Sequence, residues 1–168
     1  NTAGNTILLE NDFKYLPKQD SDLSPGGIEI NRDNIIIDGQ GCTIDADGKT
    51  RIFYIKSDNV TLKNINFING YLNSNMDSGA ALRINGNAII DNCKFENNSQ
   101  DFGAAIYHYT SSASLKVINS RFTNNRGNMG MAIYTYNSLS VDNCTFINNS
   151  GTGSGGAIHM MSSGTISN

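Results

Sequence analysis

The sequence predicts an all-β solenoid in which short parallel strands stack coil upon coil, and three observations lead to this fold class. The chain has 168 residues and is rich in Asn, with 25, and in Ile, with 20. Apolar and polar residues alternate over short runs, which is typical of strands and not of helices. Two blocks of sequence recur about every 26 residues. A unit of that length cannot bury its apolar face alone, so copies of it must stack.

The first block is a strand pair centred on an asparagine. It occupies residues 60–67, 88–95, 115–122 and 139–146, with the shared Asn at 64, 92, 119 and 143, which are 28, 27 and 24 residues apart. Each copy ends in Phe, and another Asn follows two residues later. The second block, a Gly-x-Ala-Ile or Gly-x-Ala-Leu strand, begins at residues 79, 103, 130 and 155. Because the two blocks alternate along the chain and recur at similar intervals, they form one structural unit.

The arrangement that satisfies these repeats is a right-handed parallel β-helix, with equivalent strands ~4.8 Å apart along its axis. We expect about five coils plus the start of a sixth over residues 28–168. Residues 1–27 are expected to form an N-terminal lead-in strand, at 6–9, followed by a loop that caps the first coil. Residues 165–168 open another copy of the repeat, which predicts a fragment of a longer protein.

Stacking also predicts which side chains form columns inside the solenoid. The four Phe residues at 67, 95, 122 and 146 should stack in single file, and the four shared Asn residues should form a hydrogen-bonded ladder at a bend. Cys93 and Cys144 fall two coils apart, roughly 9.6 Å, which is too far for a disulfide. We therefore expect three free, buried thiols, with Cys42 as the third. His108 should point inward as a neutral side chain.

Composition and charge exclude several classes of function. The net charge is −3, so no basic surface favours nucleic acid, and no apolar run is long enough to insert in a membrane. Asp45 and Asp47 supply too few oxygens for a calcium site, so we expect no metal and no cofactor. Asp91 and Asp142 face outward two coils apart, near the upper limit for inverting glycosidases, but Ile118 lies between them. They are predicted to be surface charges, and the chain is predicted not to be an enzyme.

The candidate binding residues lie on the strand of the second block. Its outward column contains Tyr54, Arg83, Tyr107, Tyr134 and His159, and the column two residues further on contains Lys56, Asn85, Tyr109, Tyr136 and Met161. Tyrosine offers rigid, amphipathic contact area, so Tyr54, Arg83, Tyr107, Tyr109, Tyr134, Tyr136 and His159 form a candidate binding strip. The alternative is ordinary ladder stacking on an exposed sheet.

The motifs Phe-x-Asn-Asn and Gly-Gly-Ala-Ile resemble the repeats of adhesin-like surface proteins of methanogenic archaea and of chlamydial polymorphic outer-membrane proteins. The archaeal family looks closer, because its opening is similar to Gly27-Ile28, Ile35-Ile-Ile-Asp38-Gly-Gln-Gly41 and Arg51-Ile-Phe53 here. This resemblance implies a secreted, cell-surface protein that attaches to a glycan or to a surface protein of another cell. It carries over no catalytic residues. A fragment of a polysaccharide lyase or glycoside hydrolase, and a purely structural stalk, remain as alternatives.

Overall fold

The computed structural model describes residues 5–20, 26–72, 78–110 and 112–168, and their regular structure consists of parallel strands. The first sheet contains β1 (Asn5–Leu8), β4 (Ile35–Asp38), β7 (Val60–Lys63), β10 (Ala88–Asp91), β13 (Ser114–Ile118), β17 (Ser138–Asp142) and β21 (Gly164–Ser167). The second contains β2 (Phe13–Lys14), β5 (Thr43–Asp45), β8 (Asn66–Ile68), β11 (Lys94–Glu96), β14 (Arg121–Thr123) and β18 (Thr145–Ile147). The third contains β3 (Ile28–Ile30), β6 (Phe53–Ile55), β9 (Leu82–Ile84), β12 (Ile106–His108), β16 (Ile133–Thr135) and β20 (Ile158–Met160). A short fourth sheet pairs β15 (Arg126–Gly127) with β19 (Ser150–Gly151).

Each coil contributes one strand to each of the three main sheets, which confirms the predicted solenoid. Counted from Ile28, five complete coils are followed by β20 and β21, which begin a sixth. Before Ile28, β1 pairs with β4 and β2 pairs with β5, both in parallel. The loop that was expected after the lead-in strand, over residues 10–27, was therefore wrong at Phe13 and Lys14. Residues 21–25 of that range lie outside the described residues. No helix within the described ranges is long and apolar enough to cross a membrane.

Asparagine turns the chain at two corners of every central coil. Asn64, Asn92, Asn119 and Asn143 have φ between 49° and 56° where the first sheet gives way to the second. A second set, Asn69, Asn97, Asn124 and Asn148, has φ between 52° and 56° where the second sheet ends. Asn adopts this left-handed conformation more readily than other residues with a side chain. Among the described residues, ten asparagines have such a positive φ, so the bends account for a large part of the high Asn content.

The Phe column fills the core as predicted. Ring centroids of Phe67, Phe95, Phe122 and Phe146 are separated by 5.0, 4.7 and 4.9 Å, with interplanar angles of 16° or less. The first three rings are completely buried. This single file shows that equivalent residues of successive coils lie directly above one another.

The predicted Asn ladder is present, although an aspartate interrupts it. Asn92 donates from Nδ2 to Asn64 Oδ1 at 2.7 Å, and Asn143 donates to Asn119 at 2.8 Å. Asn119, however, donates to the carboxylate of Asp91 at 2.9 Å and not to Asn92. Asn92, Asn119 and Asn143 sit at the surface or close to it.

A second Asn ladder, which the sequence reasoning missed, lies inside the solenoid. Asn98 donates to Asn125 Oδ1 at 3.0 Å, and Asn125 donates to Asn149 Oδ1 at 2.9 Å. Each amide also donates to the backbone carbonyl of a core Phe one coil earlier. The signal was the second Asn of Phe-x-Asn-Asn, which turns inward after the bend.

The three cysteines are free, but only Cys93 is fully buried. Cys42 and Cys144 are half-buried, so the expectation of three buried thiols was wrong for these two. Each lies close to an end of the stack, where fewer coils cover it. Burial raises the pKa of the Cys93 thiol to about 12.

Candidate binding surface

The third sheet brings the two predicted columns together on its outer face. The register aligns Tyr54 with Arg83, Arg83 with Tyr107, Tyr107 with Tyr134, and Tyr134 with His159. Flanking residues on each strand point into the core because strand side chains alternate between the two faces. The second column follows the strand ends, where the backbone N–H groups of Lys56, Asn85, Tyr109, Tyr136 and Met161 each donate to the previous coil.

Glycines at the start of the repeated strand make room for this aromatic surface. Gly79 and Gly130 have φ of 80° and 57°. A Cβ on Gly79 would lie 2.2 Å from the Leu82 carbonyl oxygen and 2.9 Å from the Cβ of Tyr107. A Cβ on Gly130 would lie 3.1 Å from the Cβ of His159. The glycine of each of these two blocks thus leaves space for the outward side chain of the next coil.

Rings of the first column stack on one another along the solenoid axis. Tyr107 and Tyr134 have centroids 5.5 Å apart and an interplanar angle of 28°, and Tyr134 and His159 are 4.7 Å apart at 10°. Phe102 packs edge-on against Tyr134 at 5.8 Å. Tyr134 is consequently only 4% exposed. The register places it in the strip as predicted, but its ring faces are covered by protein.

Arg83 lies between two tyrosines, as the sequence predicted. Its guanidinium carbon is 4.9 Å from the ring centroid of Tyr54 and 6.0 Å from that of Tyr107. Lys56 also contacts the Tyr54 ring, at 4.8 Å, and pairs with Glu29. Cations over ring faces are attracted by the quadrupole of the ring, so this end of the strip is held in a fixed arrangement.

Tyr109 and Tyr136 form the most exposed part of the strip. They are 48% and 38% exposed, and their rings meet edge to face at 4.9 Å and 87°. Tyr109 is nearly parallel to Tyr107, at 12°, whereas Tyr136 is nearly perpendicular to Tyr107, at 81°. The rings of Tyr109 and Tyr136 are thus nearly perpendicular, and this exposed pair presents aromatic surface in two directions.

The hydroxyls of Tyr107 and Tyr134 stay protonated at neutral pH, because both have a raised pKa. Burial, together with the neighbouring Tyr136 hydroxyl, raises the pKa of Tyr107 to about 12. The same two causes raise the pKa of Tyr134 further. Neutral phenols both donate and accept hydrogen bonds, so the strip combines apolar rings with neutral polar groups.

The other sequence-predicted sites lie elsewhere. His108 points inward, with Nδ1 3.0 Å from Thr135 Oγ1, and burial lowers its pKa. Asp91 and Asp142 share one column of the first sheet with Ile118 between them. Asp91 accepts a hydrogen bond from Asn119, and Asp142 accepts one from Ser167 at 2.8 Å.

The carboxylates of Asp45 and Asp47 form ion pairs with Lys14. Lys14 Nζ lies 2.8 Å from Asp47 and 3.8 Å from Asp45, where a cation would have to sit. Across the described ranges, no three His, Cys, Asp or Glu side chains are grouped so as to hold a metal ion.

Three parallel sheets, stacked coils and inward Phe and Asn columns define the chain as a parallel β-solenoid. The family model described as right-handed beta helix region matches residues 24–168, and the chain belongs to this family. Neither a curated protein nor a solved structure matches the chain significantly.

Proposed function

We propose that this chain is a non-catalytic binding module of a secreted, adhesin-like protein of the cell surface. Its role is to attach to glycans or to a surface protein of another cell. The observation that carries the proposal is the exposed edge-to-face pair of Tyr109 and Tyr136 on a rigid sheet. The resemblance of the repeats to archaeal adhesin-like proteins supports the cellular location.

The geometry of the strip favours contact with a ligand that has both apolar and polar faces. The Tyr136 ring is nearly perpendicular to the rings of Tyr107 and Tyr109, and Tyr109 lies beside it with about half of its surface exposed. Rigid aromatic rings bind with little loss of side-chain entropy, which makes them effective contact residues. Tyr107 and Tyr134 contact this pair directly. Arg83 packs on Tyr54 and Tyr107, and His159 stacks on Tyr134.

The proposal is tested with a glycan array and a cell-adhesion assay on the isolated chain. We expect Tyr109→Ala and Tyr136→Ala to lower binding by about tenfold, while the corresponding Phe variants retain most of it. Ile89→Ala is the matched control, because Ile89 is an exposed apolar residue of the first sheet, 41% exposed.

The same assays separate this function from its alternatives. If binding is unchanged in both alanine variants, the tyrosine strip is not the binding site. Release of reducing ends or unsaturated products from a polysaccharide, lost in Asp91→Asn, would favour a polysaccharide-degrading enzyme. Absence of any ligand across the screen would favour a structural stalk.

A further inference from the structure

Four Asp or Asn residues of the chain are followed directly by glycine, at positions 38–39, 47–48, 69–70 and 85–86. In such a pair the backbone nitrogen of the glycine can attack the carbonyl carbon of the preceding side chain, because glycine has no Cβ to hinder the approach. A nitrogen whose N–H donates a hydrogen bond must first give up that bond. The four pairs therefore differ in reactivity according to what each glycine N–H contacts.

Three of the four glycine N–H groups donate to a neighbouring coil. These bonds run from Gly39 to the Lys63 carbonyl at 2.8 Å, from Gly48 to the Asn69 carbonyl at 2.9 Å and from Gly70 to the Asn98 side-chain oxygen at 2.8 Å. In the Asn69–Gly70 pair the side chain is fixed as well, because Asn69 Nδ2 donates to Asp45 at 2.9 Å. The stacking of the coils thus protects these three pairs from attack.

The fourth glycine, Gly86, differs from the other three. Among the residues that the structure describes, no group accepts a hydrogen bond from its backbone N–H. Asn85, directly before it, follows the end of β9 and is half-buried. Its Nδ2 donates to the Tyr54 hydroxyl at 3.1 Å, and its Oδ1 has no hydrogen-bond partner. One hydrogen bond therefore restrains this amide, and none restrains the nitrogen that would attack it.

We propose that Asn85 is a site of spontaneous deamidation in the folded protein, with water as the only co-reactant. The Gly86 nitrogen loses its proton and forms a bond to Cγ of Asn85, which closes a succinimide ring. The bond between Cγ and Nδ2 then breaks, and Nδ2 takes up a proton and leaves as ammonia. Water hydrolyses the ring at one of its two carbonyl carbons, which restores an N–H or a free carboxyl group and yields aspartate or isoaspartate at position 85.

The product carries a negative charge beside the cations of the tyrosine strip. Lys56 and Arg83 both lie over the Tyr54 ring, and the Asn85 side chain is bonded to the hydroxyl of that ring. Nearby cations favour the charged form of a carboxylate, so the surroundings tolerate an aspartate at this position. Deamidation thus changes the charge of the strip, and it does so whether or not the strip binds a ligand.

Peptide mapping by tandem mass spectrometry tests the proposal on the whole chain, incubated in warm, mildly alkaline buffer. We expect the mass gain of about 1 Da at Asn85 to appear about tenfold faster than the same gain at Asn69. Asn69 is the matched control, because it also precedes glycine in the same chain. In the chain unfolded by urea, both sites should react at similar rates, since the hydrogen bonds that protect Asn69 and Gly70 are lost.

Asn85→Gln provides a second control, because its longer side chain closes a larger and less favourable ring. This variant should show no mass gain at position 85 over the same period, and its circular dichroism melting curve verifies that it is folded. Three results would overturn the proposal. They are no gain at Asn85 in the folded chain while the unfolded chain reacts, equal rates at Asn85 and Asn69 in the folded chain, and fragment spectra that place the gain at Asn87.

Discussion

The Phe column inside the solenoid and the tyrosines outside it follow the same strand register, but their rings differ in how parallel they are. Inside, Phe95 and Phe122 stack at 4.7 Å with an interplanar angle of 3°. Outside, Tyr107 and Tyr134 are 5.5 Å apart and tilted by 28°, and Tyr136 is turned by 87° from Tyr109. Backbone register brings equivalent side chains close together, and in the core the four stacked Phe rings are also nearly parallel. The outer rings share no such common orientation, since their interplanar angles range from 10° between Tyr134 and His159 to 87° between Tyr109 and Tyr136.

The largest expected difference between the two columns is in stability. Phe95→Ala should lower the free energy of unfolding by ~3–5 kcal/mol, because it opens a cavity between two stacked rings. Tyr109→Ala should lower it by less than about 1 kcal/mol, because half of that side chain is already in water. Urea denaturation followed by circular dichroism measures both.

Phe95→Leu is the control for the first of these variants, since it keeps most of the volume and should cost less than about 1.5 kcal/mol. Equal losses for Phe95→Ala and Tyr109→Ala would show that the interior column does not dominate stability.

The two Asn ladders provide a comparison at a smaller scale. Asn125→Ala should cost ~1–3 kcal/mol, because it leaves the buried Phe95 carbonyl without this donor and the backbone and amide N–H groups of Asn98 without this acceptor. Asn119 lies at a partly solvated bend with φ of 52°, so Asn119→Gly removes the amide without straining the backbone. We expect Asn119→Gly to cost about 1 kcal/mol or less, since water replaces the lost hydrogen bonds.

The same denaturation experiment ranks the two ladders. If Asn119→Gly destabilises the chain as much as Asn125→Ala, burial is not what separates them. Asn125→Asp is a useful companion variant, because it keeps the acceptor oxygen and removes the donor that reaches Phe95.

The sequence revealed those features that depend on periodicity alone. Phe67, Phe95 and Phe122 repeat at fixed positions, so their stacking followed from coil register, as did the alignment of Arg83 between Tyr54 and Tyr107. The inner ladder at Asn98 and Asn125 was missed, because which of two adjacent Asn residues turns inward depends on how the corner closes.

Features that depend on local packing could not be predicted from the sequence. The burial of Tyr134 depends on Phe102, which lies in a loop outside the repeated blocks. The rotation of Tyr136 is set by side-chain torsions. Gly127 and Gly151 lie so close to carbonyl groups of the preceding coil that a Cβ would not fit, and no repeat pattern specifies that distance.

The smallest expected effect concerns His108, which replaces an apolar residue in an interior column between Ile84 and Thr135. Burial lowers its pKa, and a backbone hydrogen bond with Gly86 opposes this only in part. The unfolded chain, with a histidine pKa near 6.5, therefore binds this proton at a higher pH than the folded chain does. Stability should be complete above about pH 6.5 and decline as the pH falls below it, until the folded pKa is reached. Urea midpoints from about pH 8 to about pH 5 should show this decline. His108→Leu should remove the part of this pH-dependent decline in stability that comes from His108. Thr135→Val keeps the imidazole buried and should therefore retain that part. If the stability of the original chain and of His108→Leu depends on pH in the same way, a group other than His108 causes the decline.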